Sequence, residues 1–219
     1  LERARGGLLG RDAAEARLKL LEVQLEPHML FNTLANLRAL MATDVPRAQA
    51  MLDHLIAYLR ATLGASRSAL HPLSEEFARL ADYLALIAVR MGPRLQYRLD
   101  LPDALRDVPV PPLLLQPLGE NAIRHGLEPQ VAGGSVAVQA RLLEDGARLQ
   151  LSVHDTGAGP GAEAGNDGTR FGLQQVRERL ATLYGSAATL ELIASSAGGT
   201  SAIVTFPLKH ATDRPDRRG

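Results

Sequence analysis

The chain contains no cysteine, which excludes disulfides and thiolate metal centres. It also has no excess of charge. Lys+Arg and Asp+Glu number 24 each, so nothing in the overall balance draws in nucleic acid or an anionic membrane surface. Long apolar runs are missing: none reaches the roughly 18–20 residues that span a bilayer as a helix, and no signal-peptide pattern is present. Repeats and low-complexity tracts are absent as well. What is there is 219 residues with 46% hydrophobic side chains, enough for one large domain or two small ones with cores of their own. The first residue is Leu1 rather than Met, which predicts a piece of a longer chain, with any membrane sensor lying upstream.

Residues 11 to 92 carry a helical period. Leu18, Leu21, Leu25, His28, Asn32, Ala35 and Ala39 form one stripe, and Leu30, Leu34, Leu37 and Met41 form a second beside it. Asp44-Val45-Pro46 interrupts this pattern. A second helix is expected from Pro46 to Leu63, with Met51, Leu55, Tyr58 and Leu59 on its apolar side. Two long amphipathic helices with a short break predict a hairpin, and a lone hairpin buries little. Pairing two copies gives a four-helix bundle, so a homodimer is expected. Within the first helix, Pro27 precedes His28. An interior proline costs about 3 kcal/mol of helix stability. The pair therefore reads either as a kinked or capped helix with an ordinary histidine, or as a distortion that presents a reactive ring.

Gly64 to Pro72 reads as a linker, after which Ser74-Glu75-Glu76 predicts an N-cap and an acidic first turn for a third helix ending near Gly92-Pro93. Beyond Pro93 the pattern changes. Arg94–Leu101, Val136–Leu143, Leu149–Val153 and Ala202–Phe206 have strand character, and helices are expected from about Pro117 and about Gly172. Largely antiparallel strands with helices on one face make a two-layer α/β sandwich. The division expected is 1–66 for the helical hairpin, 67–208 for the connecting helix and second domain, and 209–219 for a disordered tail.

Three motifs follow in order along the second half. The first runs from Pro112 through Gln116, Glu120, Asn121, Arg124 and His125 to Gly126. On a helix, Asn121 and His125 share a face with Arg124 close by. An amide oxygen is a suitable hard ligand for magnesium, and Arg124 and His125 suit phosphate. The second is Asp155-Thr156-Gly157-Ala158-Gly159 at a strand end, where a carboxylate can accept a hydrogen bond from an exocyclic amine such as that of adenine. Its glycines permit close backbone approach. The third, Gly168-Thr169-Arg170-Phe171-Gly172-Leu173, feeds a helix whose N-terminal amides favour phosphate. The glycine-rich stretch between Gly157 and Gly172 reads as a mobile lid. Gly198-Gly199-Thr200 then leads into the last strand. His54, His71, His154 and His210 show no metal-ligand spacing.

These motifs, so ordered, resemble the GHKL ATPases, the superfamily of gyrase-, MutL- and histidine-kinase-like ATP-binding domains. The block Pro27-His28-Met29-Leu30-Phe31-Asn32 ahead of them is similar to the PHFLFN-like motif of LytS-type sensor histidine kinases. The resemblance covers roughly residues 15 to 208. It implies an α+β protein: an N-terminal helical hairpin forming a dimeric four-helix bundle, then a two-layer α/β sandwich of the GHKL (Bergerat) type. The implied function is that of a cytoplasmic catalytic fragment, the full protein being anchored in the inner membrane through its missing N-terminal region. It would autophosphorylate His28 from ATP and pass the phosphate to an aspartate of a response-regulator receiver domain.

Residue by residue, the resemblance implies ATP and Mg²⁺ as cofactors, Asn121 as the magnesium ligand and Asp155 as the reader of adenine. Arg124 and His125 meet phosphate, Gly157, Gly159 and Gly172 shape the pocket, and Arg170, Leu173 and Thr200 complete the binding set. Glu120 and Glu26 both stand as acid/base candidates. Asn32, one turn past His28, would orient the ring or position a water that hydrolyses the regulator's phosphate. Three positions depart from the pattern. Met29 replaces the usual Phe; Gly119 stands where a branched residue is usual, which should loosen that helix; and Arg170 replaces the middle glycine of the lid. That last change keeps two other readings open: a degenerate kinase acting as scaffold or phosphatase, and a GHKL ATPase that makes no phosphohistidine.

Overall fold

A computed structural model describes residues 27–64, 70–143, 146–159, 167–195 and 198–208. They belong to two units, divided between Arg67 and Ser68. Helix α1 (Pro27–Thr43) and helix α2 (Val45–Gly64) make the first as a hairpin with a single residue between them. That residue explains the sharp reversal. Asp44 Oδ1 accepts the Arg47 N–H at 3.1 Å, an N-cap for α2, and Pro46 falls in the first turn, where no intrahelical donor is needed. Ala48, Met51, Leu55 and Tyr58 on α2 are buried, with Thr33 on α1. Phe31, at 72% exposure, Leu34, Met41, Val45, Leu52 and Ile56 stay open. The expectation of a proline inside the helix depends on residues 11–26, which lie outside those described, as do Leu18, Leu21, Leu25 and Glu26.

In the second unit, helix α3 (Leu73–Met91) follows β1 (His71–Pro72), which pairs antiparallel with β3 (Pro109–Val110). The expected linker is thus shorter, because its last two residues find a strand partner. Pro72, not Ser74, occupies the N-cap position of α3, with no side-chain cap. The main sheet has the order β2-β4-β5-β7-β6, formed by β2 (Leu95–Asp100), β4 (Gly134–Leu142), β5 (Arg148–Asp155), β7 (Thr200–Pro207) and β6 (Thr189–Ala194). Only β2 and β4 run parallel; the other three pairs are antiparallel.

Alternation along the strands sends Val136, Val138, Leu149, Leu151, Val153, Val204 and Phe206 into one buried layer. The helices supply the other layer: Leu80, Leu84 and Ile87 from α3, Leu118 from α4 (Leu115–Asn121), and Leu173, Val176 and Leu180 from α5 (Asp167–Tyr184). Tyr184 and Phe206 close the end of α5 against the sheet, ring centroids 5.2 Å apart. This is the expected α+β architecture, with three differences. Strand β6 was not expected although Thr189-Leu190-Glu191-Leu192 alternates; it is a six-residue edge strand exposed along nearly its whole length. Helix α5 starts at Asp167, five residues before Gly172. Finally, α4 does not continue as an α-helix but passes into a π-helical turn over Ala122–Leu127. The predicted tail, 209–219, lies outside the described residues.

Candidate nucleotide site

Asp155, the last residue of β5, is buried at 2% exposure. Its Oδ1 accepts the N–H of Gly157 at 2.8 Å and that of Thr200 at 3.2 Å. Burial pushes its carboxyl pKa above the ordinary 3.8; the two amides and His154 oppose that shift without cancelling it. His154 faces the other side of the sheet, as strand alternation requires, and its Nδ1 lies 2.8 Å from Ser201 Oγ. Beyond that electrostatic influence, adjacency to Asp155 is all it shares with the site.

Around Asp155 the walls are backbone. A side chain at Gly126 would put Cβ 2.6 Å from Asp155 Oδ1, one at Gly157 would meet the Gly126 carbonyl, and one at Gly199 would meet the Asp155 carbonyl. Gly199 has φ +87°, a conformation that glycine adopts without strain. The Ala158 N–H donates to Gly126 O at 3.2 Å, and Thr156 exchanges bonds with Ser135 on β4: its N–H donates at 3.1 Å and its Oγ1 accepts at 2.9 Å. The loop after β5 is therefore pinned between β4 and the π turn. Gly159, at φ +83°, closes its described part.

The π turn is the second wall. Here Glu128 N–H reaches back five residues to Ile123 O at 2.8 Å. Such turns widen a helix locally and gather at functional sites. Asn121 ends α4, and Arg124 and His125 lie within the wider turn; all three are half-buried. Glu120 accepts a hydrogen bond from Gln116 Nε2 at 2.8 Å. Gly119 does more than weaken a helix. Its missing side chain lets the Leu80 Cδ1 methyl rest where Cβ would be, so α3 and α4 pack at close range. Gly172 and the buried Leu173 lie on α5, with Pro117 of α4 3.5 Å from where a Gly172 Cβ would stand. Arg170 is in the opening turns of α5, but its side chain, the lid residues 160–166 and Glu26 are outside those described.

Asp155, Gly157 and Thr200 are thus joined by direct hydrogen bonds, with Gly126 and Gly199 packed onto them. His28 and Asn32 belong to the other unit, His28 one residue into α1 and Asn32, half-buried, one turn later. Glu76 escaped the sequence reading. Buried at 1% exposure on α3, its carboxylate accepts the N–H groups of Leu113, Leu114 and Leu115 at 2.8, 2.7 and 2.9 Å. His71 Nε2 lies 2.9 Å from it, close enough for charge attraction but off the line of a hydrogen bond, and Arg79 Nη1 lies 3.4 Å away. Burial alone would raise the Glu76 pKa, yet His71 and the backbone donors outweigh it and hold the carboxyl below the ordinary 4.5. A signal existed: Leu73, Glu76, Leu80, Leu84, Ile87 and Met91 follow one helical stripe, so Glu76 occupies an inward position.

Two family models match the chain in tandem: "Histidine kinase" over residues 16–95, and "Histidine kinase-, DNA gyrase B-, and HSP90-like ATPase" over residues 112–210. The helical hairpin and the α/β sandwich fall under these two models in that order, the arrangement of a histidine-kinase catalytic region. Within that class the chain is similar to the LytS sensor proteins. It is 30% identical to the "Sensor protein LytS" of Bacillus subtilis, over 95% of this chain and 37% of the relative. It is also 30% identical to the "Sensor histidine kinase/phosphatase LytS" of Staphylococcus aureus, over 85% of this chain and 33% of that one. The chain spans about a third of the length of these curated relatives. Among solved structures, the histidine kinase domain of the Erythrobacter litoralis EL346 blue-light activated histidine kinase is 21% identical over 90% of this chain and 94% of that one, with a TM-score of 0.48.

Proposed function

We propose that this chain binds ATP beside Asp155, phosphorylates His28 and hands the phosphate to an aspartate of a response-regulator receiver domain. The buried, glycine-walled carboxylate of Asp155 carries the reading. Its Oδ1 is held by two amides and its surroundings are packed too tightly to admit a side chain at Gly126, Gly157 or Gly199, so the carboxylate is fixed in place as an acceptor for the exocyclic amine of a base. The donor set also fits magnesium. No group of three or more His, Cys, Asp or Glu among the described residues forms a metal site, and a single amide oxygen, that of Asn121, matches an ion that takes most of its ligands from phosphate and water. When bound there, the ion would neutralise charge on the phosphate oxygens. Arg124 and His125 add positive charge and donors, and the start of α5 presents amides for phosphate.

At His28 the neutral ring uses a nitrogen lone pair to attack the γ-phosphorus. An N–P bond forms as the P–O bond to ADP breaks. Glu120 and Glu26 are the candidate acceptors for the ring proton. The chain acts as a homodimer whose two hairpins make a four-helix bundle, in a cytoplasmic region anchored through a segment upstream. A second reading, phosphatase action on the regulator, is favoured by the name of the S. aureus relative and by the place of Asn32 one turn from His28. Incubation with γ-labelled ATP decides. Wild type with magnesium should take up acid-labile, base-stable label, while His28→Ala, Asn121→Ala and the magnesium-free sample should not; equal label in wild type and His28→Ala would sink the proposal.

A further inference from the structure

The Glu76 carboxylate has no part in the chemistry above, yet it binds three consecutive backbone amides at the start of the helix that ends in Asn121. Helix starts usually take their cap from a residue just upstream. Here the cap comes from another helix, 37 to 39 residues earlier in the chain. Leu113, at φ +60°, adopts a conformation rare for leucine as the chain turns these amides toward Glu76. The same turn is held on its carbonyl side, where the Arg179 guanidinium of α5 donates to Pro112 O. Farther along, Leu80 rests against Gly119, and beyond the π turn Arg90 pairs with Glu128. Helix α3 is therefore fastened to the Asn121 helix at its start, its middle and past its end.

We propose that Glu76 is a positioning residue for the phosphate end of the nucleotide site, an inference that rests on the nucleotide reading given above. A helix transmits displacement of its first turn along its axis, so fixing Leu113–Leu115 fixes where Asn121 stands. Asp155 is anchored separately, on β5 and by the amides of Gly157 and Thr200. The two ends of the nucleotide site thus have independent supports. The positive charge of Arg79 and the ring of His71 offset the buried carboxylate. A glutamine at 76 keeps the shape but loses the charge, and it turns an NH₂ toward amides that need an acceptor.

The test compares the full 219-residue chain with its Glu76→Gln variant, titrated with Mg·ATP and with adenosine. The variant should bind Mg·ATP at least about tenfold more weakly, as the loss of a charge-assisted bond implies, and adenosine within about twofold of wild type. Glu76→Asp, which keeps the charge on a shorter arm, should recover part of the loss. Unchanged Mg·ATP binding overturns the inference, and so does an equal loss of both ligands, which marks general damage to the fold. A wild type that binds neither ligand overturns the nucleotide reading, and this inference with it. If Glu76→Gln does not fold, Gly119→Ala carries the same expectation with Glu76 intact, since its Cβ pushes α4 away from Leu80.

Discussion

Two buried carboxylates in one domain are tuned in opposite directions. Asp155 is raised by burial, whereas Glu76, though more deeply enclosed by donors, is lowered by His71 and by the amides it caps. The signs have consequences. A raised acid favours the folded state below its ordinary 3.8, and that contribution is lost as pH rises through the raised value. Asp155→Asn keeps an oxygen for the Gly157 and Thr200 amides and removes the charge. It should therefore melt at or above the wild-type temperature at pH 7.5, with the gain vanishing as pH falls below about 4. Its ATP affinity should drop about tenfold or more, the pattern of a site kept at a cost in stability. Melting curves across pH, with a nucleotide titration, check both. Asp155 was legible in the sequence because a carboxylate at a strand end followed by spaced glycines is a local pattern. For Glu76 the stripe of α3 marks only that it faces inward; its role was not legible, since that lies in amides the chain brings back from 37 or more residues away.

Among the elements, those with strong periodicity were legible and those defined by their neighbours were not. Helices α1, α2 and α3 announce themselves through apolar stripes. Strand β6 carries only a short alternation, Leu190 and Leu192 over six residues at the sheet's edge, and the π turn after Asn121 depends on what packs against it. At that turn Gly126 meets the loop after β5 backbone to backbone. Gly157→Ala places a methyl group against the Gly126 carbonyl, which no rotamer change relieves. Overpacking of this kind costs about 1–3 kcal/mol, so the melting temperature should fall by about 5 °C and nucleotide binding should weaken with it. Scanning fluorimetry with and without ATP reads both effects. The packing role of Gly119 was missed for a related reason. Helix propensity judged that residue by its own helix, while the structure uses it to admit Leu80.

For the molecule as a whole, the hairpin exposes Phe31, Leu34, Met41, Val45, Leu52 and Ile56, a run of apolar side chains that a single copy leaves to water. Such a face marks an interaction site, and the proposed four-helix bundle covers it. Leu52→Glu combined with Ile56→Glu should convert a dimer into a monomer in sedimentation velocity while helical circular dichroism persists; a variant that stays dimeric would show that the copies meet elsewhere. No helix among the described residues is long and apolar enough to cross a membrane. The walls around Asp155 have a different bearing, on inhibition. Gly126, Gly157 and Gly199 are themselves buried against Asp155 and its neighbours, and a side chain at any of the three would collide with them. An inhibitor that depends on the Asp155 carboxylate therefore relies on a position whose neighbours a single codon change cannot enlarge without displacing it. Resistance would then have to arise at positions farther from that carboxylate.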